Sequence, residues 1–392
     1  MASKLQDLIN RLCPNGVEYR RLGDLGSFFS GLSGKTKADF KDGNAKFISY
    51  MNVYLNPALR TDVDDRVKIA EGEKQNLLKY GDVLFTGSSE TPDECGMSSV
   101  LTEKTEEPLY LNSFCFGFRL NEPIYNPNFL KHLLRSTLIR KQICQTASGV
   151  TRFNVSKKRM EGVLLPVPPL EVQGEIVQIL DNFAELTAEL TAELTAELEK
   201  RKKQYEHYRS ELMATREMCF NFSEHCKILR GEYITKKESR PGNVPVILGG
   251  QEPAYYIDRA NHTGKAIVIS RSGASAGFVS YWDEPIFATD GFIIETDSQL
   301  EIRYLYHWLK DRQSELNQMK KGGGVPHITG ANLASLKPPL PPLAEQRRIV
   351  SILDRFDRLC NDLTSGLPAE IAARKKQYAY YRDKLLELRV GS

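Results

Sequence analysis

The sequence predicts an α+β protein: two globular domains separated by two long helical segments that pair as an antiparallel coiled coil, the whole forming a pseudo-two-fold internal repeat. Three observations predict it. Residues 166 to 212 lie on residues 339 to 385 at a constant offset of 173, with 25 identities in 47 positions and no gap. A repeat of this length means two similar modules in tandem. The repeat also extends outward into unlike surroundings: His132 maps 175 residues on to His307, Gly149-Val150 to Gly324-Val325, and Gly117-Phe118 maps 174 on to Gly291-Phe292. Finally the order is permuted, since Cys13-x-Asn15-x-x-Glu18 resembles Cys219-x-Asn221-x-x-Glu224 at an offset of 206, so the start of the chain continues what its end left off.

Residues 1–160 form the first domain. Its short β-rich runs, Lys46 to Met51, Asp82 to Phe85 and Phe114 to Arg119, alternate with Gly, Asn, Asp and Pro turns, and the domain closes with a helix, Asn128 to Gln145. That helix runs into a polar glycine loop, Ala147 to Asn154. Residues 161–215 form the first helical segment. Large apolar residues at Ile176, Ile179, Leu180, Phe183, Leu186, Leu190, Leu194, Leu198, Tyr205, Tyr208 and Leu212 step by three, four and seven, with Glu, Lys, Gln and Ala between them. A helix from about Leu170 to about Met213 is roughly 65 Å long at 1.5 Å per residue, too long for a compact domain, so its apolar stripe needs a partner helix.

Residues 216–335 repeat the first domain, with the strand-like run Ala266 to Ser270, a helix from Glu301 to Lys320, and the glycine loop Lys320 to His327. Residues 336–392 repeat the helix and supply the partner. Leu186, Leu190, Leu194 and Leu198 map onto Leu359, Leu363, Leu367 and Ile371, while the three Thr-Ala-Glu-Leu units between Thr187 and Leu198 have diverged. Retained register with lost identity is what a packing constraint leaves. Gly366 and Pro368 predict a kink or break in the second helix. The runs Arg201 to Lys203 and Arg374 to Lys376 read as solvent or partner-protein faces.

Composition excludes more than it names. The 392 residues, 41% hydrophobic and 26% charged, suffice for two cores. The net charge of +3 leaves attraction to a polyanion to local patches. Seven cysteines without a C-x-x-C pair argue against a disulfide framework and a zinc ribbon. With no signal peptide and no apolar run near 18 residues, the sequence reads as a soluble cytoplasmic protein. No phosphate loop, H-E-x-x-H, G-x-S-x-G or dinucleotide fingerprint is present, nor the Asn/Asp-Pro-Pro-aromatic tetrapeptide of amino-methyltransferases. The six histidines are scattered singly and read as surface or core groups, and no metal site is expected.

The blocks Pro-x-Pro-Pro-Leu-x-x-Gln and Ile-Val-x-Ile-Leu-Asp-x-Phe, each present twice, the paired Arg-Lys-Lys-Gln-Tyr-x-x-Tyr-Arg blocks and the Thr-Ala-Glu-Leu units resemble the specificity subunit of type I restriction-modification systems. The resemblance implies a non-catalytic, DNA-reading subunit for a bipartite, asymmetric site. Each globular domain would be a target-recognition domain for one half. The helices would act as ruler for the non-specific gap and as a dock for two modification (methyltransferase) subunits. Restriction (motor-nuclease) subunits complete such complexes. Adenine methylation and ATP-dependent cleavage, with S-adenosylmethionine, ATP and Mg²⁺, would belong to these partners, and this chain would hold no cofactor. A coiled-coil scaffold whose globular domains bind proteins is the alternative, and salt-dependent DNA affinity discriminates the two.

On that reading the candidate DNA-facing groups are polar residues on the glycine loops and nearby turns: Lys35, Lys37, Thr86, Ser88, Thr151 and Arg152 in the first domain, and Gln251, Arg271, Ser272, Lys320, Lys321 and His327 in the second. Arg and Gln can make bidentate base contacts, whereas Lys and Ser more often hold phosphate. The candidate spacer and docking residues are Leu186, Leu190, Leu194, Leu198, Arg201, Tyr205, Tyr208, Leu359, Leu363, Leu367, Ile371, Arg374, Tyr378 and Tyr381.

Overall fold

The computed structural model describes residues 2–214, 219–237, 239–250, 252–320 and 325–388. The chain divides into two compact units, Met1–Thr191 with Ala373–Ser392, and Ala192–Ala372. Each unit therefore holds one globular domain and a piece of both helical segments. The boundaries near 160, 215 and 335 mark changes between β-rich and helical sequence, with the strand Leu164–Pro166 lying just past the first, whereas the units follow packing and divide within helices.

In the first unit the central sheet has the order Gly26–Ser30, Cys115–Leu120, Val83–Thr86, Ser98–Val100, all antiparallel. Phe85, Phe116 and Phe118 on these strands are buried with Phe129, Leu130 and Ile143 of the helices behind them and with Val172, Ile176 and Leu180 of the long helix. A second sheet joins Arg66–Val67, Ala45–Ile48 and Leu109–Leu111, the last pair parallel. The second unit repeats both. Its central sheet runs Cys226–Arg230, Gly291–Thr296, Lys265–Ser270, Val279–Asp283, and its smaller one Tyr255–Ile257, Val244–Ile247, Phe287–Ala288, again with one parallel pair. The fold class read from sequence is the observed one.

Strand ladders correct the register of the repeat. Tyr19 pairs with Pro166 and Cys219 with Pro339, and the two prolines are 173 apart. Tyr19 thus corresponds to Cys219, an offset of 200, not the 206 suggested by three scattered identities. Likewise Phe28 faces Phe118 and Ile228 faces Ile294, so Phe118 maps 176 residues on rather than 174. Short identity matches carry no register of their own, whereas a ladder fixes one residue at a time. Gly324, paired above with Gly149, lies outside the described residues.

The first long helix is continuous from Leu170 to Met213. The second is two helices, Leu343–Asn361 and Leu367–Leu386. Gly366 and Pro368 mark the break, as expected. The Asp362 carboxylate accepts hydrogen bonds from the backbone and hydroxyl groups of Thr364 and Ser365, which closes the chain into a turn. A Cβ at position 366 would lie 2.6 Å from the Arg358 carbonyl oxygen, so only glycine lets the turn pass that close. The break also corrects the apolar register: Leu363 lies in the turn and is 71% exposed, while Cys360, one residue beyond Leu359, is buried. Leu198 is buried in the second unit's core with Leu367 and Ile371 packed beside it, whereas Leu186 is largely exposed.

The single helices expected over 128–145 and 301–320 are each divided. In the first unit Pro127–Leu133 and Thr137–Gln145 flank Ser136, whose hydroxyl donates back to the Leu133 carbonyl, so that one helix ends just before the next begins. In the second, Ile302–Asp311 and Gln313–Gln318 meet at Arg312, whose backbone leaves the helical region. No described helix is long and apolar enough to cross a membrane.

Candidate nucleic-acid interface

The duplicated motifs turn out to be the frame that holds each domain against the helices. The Gln of Pro-x-Pro-Pro-Leu-x-x-Gln is fully buried in both copies. Gln173 donates to the carbonyls of Ile124 (2.9 Å) and Pro168 (2.7 Å) and accepts from the Asn126 amide (2.7 Å). Gln346 donates to Gln299 (3.0 Å) and Pro341 (2.8 Å) and accepts from Glu301 (2.7 Å). A neutral amide is the side chain that supplies two donors and an acceptor at one point, and here it ties the start of the long helix to the N-cap of the domain's helix.

The Asp of Ile-Leu-Asp-x-Phe meets a histidine. Asp181 lies 2.8 Å from Nε2 of His132, and Asp354 lies 2.7 Å from Nε2 of His307. The other ring nitrogen faces a tyrosine from the opposite helical segment: Tyr378 for His132 (3.4 Å) and Tyr205 for His307 (3.2 Å). Burial pushes both imidazoles below their ordinary value against the pull of the carboxylates, so each is neutral, with Nε2–H donating to Asp and Nδ1 accepting from Tyr. Burial raises the two carboxyls, but hydrogen bonds from Lys131 and His132, and from His307 and Arg303, outweigh it and hold them below the ordinary range. The motif's Phe packs on the other copy's second tyrosine: Phe183 stacks on Tyr381 (5.8 Å), and Phe356 lies tilted against Tyr208 (5.6 Å). Tyr205 and Tyr378 therefore face inward in their units. Arg201 is tied along its own helix to Glu197 (2.7 Å) and Gln204 (2.9 Å).

On this frame both units build the same junction of three segments. In the first, the Gly87 amide donates to the Phe114 carbonyl (2.9 Å), and the Gly87 carbonyl accepts from Val155 at the exit of the glycine loop (3.0 Å). In the second, the Arg271 amide donates to Asp290 (2.9 Å), and the Arg271 carbonyl accepts from Ile328 (2.9 Å). Strand end, the turn that links the small sheet to the central one, and the exit of the glycine loop thus meet at one point in each unit, and most of the sequence-predicted groups gather there. Thr86 is buried, its hydroxyl accepting from the Met97 amide (2.9 Å), which removes it from any surface. Ser88 accepts from Nε of Arg152 (3.0 Å), and its carbonyl from the Tyr50 hydroxyl (2.8 Å). Thr151 and Arg152 are exposed. Arg271 lies 3.7 Å from the Asp290 carboxylate, which also accepts from the Ser272 hydroxyl, and Ser272 bridges to His327. Lys320 reaches the Ala274 carbonyl (3.2 Å), next to this cluster.

Two candidates lie elsewhere. Lys35 is neutralised inside its unit, 2.6 Å from both Glu73 and the Lys68 carbonyl, and it holds the Glu73 carboxyl down to about 2. Its charge is therefore engaged by Glu73. Lys37 is exposed on a short 3-10 turn beside it. Gln251 and Lys321 lie outside the described residues. Sequence reasoning missed Phe114, which is 62% exposed, and Asp290, the only described non-glycine residue with positive φ (47°). Among the described residues no group of three or more His, Cys, Asp and Glu is placed to hold a metal ion.

The chain matches the type I restriction modification DNA specificity domain twice, over residues 14–200 and 218–373. It belongs to that family. A type I restriction enzyme specificity subunit of Haemophilus influenzae is 35% identical over 284 residues, 67% of this chain and 72% of that protein. A specificity subunit of Escherichia coli is 34% identical over 247 residues, 56% of this chain and 60% of that one. The fold is shared with a chain from a structure of type I restriction-modification complex assembly (TM-score 0.69, 20% identity, covering 95% of this chain and 98% of that one) and with the specificity subunit of Thermoanaerobacter tengcongensis (TM-score 0.54, 19% identity, 96% of each). As a specificity subunit, a class that is in general non-catalytic, the protein serves DNA sequence recognition and works with DNA and with other subunits of its system.

Proposed function

We propose that each unit reads one half of a bipartite, asymmetric DNA site through its three-segment junction, with a non-specific gap between the halves set by the helical segments. The observation that carries this is the pairing of a duplicated frame with an unduplicated surface. The Gln, Asp–His–Tyr and Phe–Tyr contacts recur residue for residue, while the junction carries Gly87, Phe114 and Arg152 in one unit and Arg271, Asp290 and His327 in the other. Such a pairing supports one docking geometry and two different half-sites. Arg152 and Arg271 suit a bidentate contact to guanine in the major groove, and the neighbouring hydroxyls suit phosphate or base edges.

The exposed faces of the near-identical helical blocks suit two equivalent methyltransferase subunits, joined by motor-nuclease subunits for cleavage. Adenine methylation and ATP-dependent cleavage, with S-adenosylmethionine, ATP and Mg²⁺, are the work of those partners. The test is methylome sequencing of cells that carry this chain with its partner subunits, before and after residues 15–160 are replaced by the equivalent region of a relative. One half of the methylated motif changes and the other stays. A swap that alters both halves together refutes modular reading, and one modification subunit per chain at saturation refutes the duplicated dock.

A further inference from the structure

The junctions differ in where their cation comes from. Gly87 and Arg271 are equivalent, because each donates its amide to the turn residue and accepts from the loop exit. In the first unit the strand end has no side chain, and the guanidinium arrives from the glycine loop, where Arg152 hooks onto Ser88. In the second the guanidinium stands on the strand end itself and leans on the turn residue Asp290. Each junction thus presents one arginine, from exchanged backbone positions, and the turn residue beside it differs in kind.

Both turn residues are held in ways their own stability does not call for. Phe114 is 62% exposed although three hydrogen bonds fix its turn: its amide donates to Asn112 Oδ1 (2.8 Å), its carbonyl accepts from Gly87, and the Cys115 amide donates to the Asn112 carbonyl (3.1 Å). What sets this ring apart from other exposed apolar groups is its place, on a hydrogen-bonded turn at the junction where Ser88 holds Arg152, which leaves its face free for an apolar contact. Asp290 adopts a left-handed backbone, φ 47°, that glycine would take without strain, and its carboxylate engages both Arg271 and Ser272. Backbone strain retained beside a half-exposed guanidinium has a use if it aims that group.

We propose that Phe114 and Asp290 are equivalent specificity-determining positions: Phe114 packs on the C5-methyl of a thymine beside the base read by Arg152, and Asp290 is a positioning residue that aims Arg271 at a guanine. The proposal rests on the functional reading above. An apolar side chain against the thymine methyl and a bidentate arginine on guanine O6 and N7 are the contacts these two groups can make in a major groove. Asp290 also excludes alternatives, since a carboxylate facing a phosphate is repelled, which keeps Arg271 on base edges.

The complex of this chain with its modification subunits is made with wild-type chain, Phe114→Ala, Asp290→Gly and Asp290→Asn, and the methylated motif of each is sequenced. Phe114→Ala relaxes one A·T position in one half-site, and the Asp290 variants relax one G·C position in the other, each by roughly tenfold or more in preference. Binding to duplexes carrying deoxyuridine for thymine, or 7-deazaguanine for guanine, then tests the contacts. The wild-type complex loses affinity on each exchange. With the exchange confined to the half-site its own unit reads, Phe114→Ala no longer responds to deoxyuridine, and Asp290→Gly no longer responds to 7-deazaguanine. Since Phe114 is exposed and glycine suits position 290, both variants should unfold within about 2 °C of wild type, and Asp290→Asn repeats the test with the side-chain volume kept. An unchanged motif, or affinity lost equally on all sequences, overturns the proposal. A wild-type complex with no methylated motif would instead overturn the functional reading beneath it.

Discussion

Removing the phenolic hydroxyl of Tyr205 tests whether the duplicated motifs are a frame. In the second unit Asp354 fixes the Nε2–H tautomer of His307, which leaves Nδ1 as a bare acceptor on a fully buried ring, and Tyr205, itself buried, satisfies it. Tyr205→Phe keeps the ring and its 6.2 Å stacking on Phe356 but orphans that acceptor, at a cost of about 1–3 kcal/mol. The equivalent Tyr378→Phe breaks a longer contact, 3.4 Å, from a half-buried tyrosine, so it costs about 0.5–1.5 kcal/mol. Tyr208→Phe removes an exposed hydroxyl and stays within about 0.5 kcal/mol. For units of this size 1 kcal/mol moves the melting temperature by about 2–4 °C. Calorimetry on the full chain, with hydrogen exchange over residues 301–311 to locate the loss, gives the ranking Tyr205→Phe above Tyr378→Phe above Tyr208→Phe. If Tyr205→Phe is no worse than Tyr208→Phe, the Asp–His–Tyr contact does not hold the unit together.

The same groups set a pH dependence. His132 and His307 are depressed in the folded chain, so below about pH 6.5 the unfolded chain binds protons that the folded one does not. Stability therefore falls with acidification from that point, and again as Asp181 and Asp354 protonate below the ordinary carboxylate range; His307→Gln flattens the first phase of a melting-temperature titration, and an unchanged profile contradicts the assignment. Gln346→Leu leaves the Glu301 amide and the Pro341 carbonyl without partners, costing about 2–4 kcal/mol in a urea titration, whereas a loss under 1 kcal/mol contradicts that role. Deleting Thr191 to Leu194 removes about 6 Å of helix and turns the stripe by about 40°, so both half-sites keep their sequence while the methylated motif's gap shortens by about one or two base pairs; an unchanged gap at full activity contradicts the ruler.

Much of the fold was legible because packing leaves periodic and repeated traces. The continuous helix over Leu170–Met213 follows from its stripe, and the break before Leu367 follows from Gly366 and Pro368. The motif roles were not legible, since each needs a residue far away in the chain. Gln173 acts on Asn126, Asp181 on His132, and Tyr378 on that same histidine across 246 residues. A lone histidine in sequence carries no sign of this. The register error of six residues near Cys13 has the same origin, because pairing partners, not identities, define equivalence there.

The candidate interface was half legible for a related reason. Glycine loops and strand ends can be read as places where polar groups gather, and Ser88 with Arg152, and Arg271 with Ser272 and His327, do gather. What a one-dimensional reading cannot weigh is competition from within. Lys35 has the composition of a phosphate contact, but Glu73, 38 residues on, holds it first. Phe114 opens an apolar run that reads as a strand, yet the strand begins at Cys115 and leaves the ring on the turn. On the reading proposed above, a frame that recurs and a reading surface that varies put the information in such turn residues. On that reading these are Phe114 and Asp290, which the junction's hydrogen bonds place at the same point of each unit.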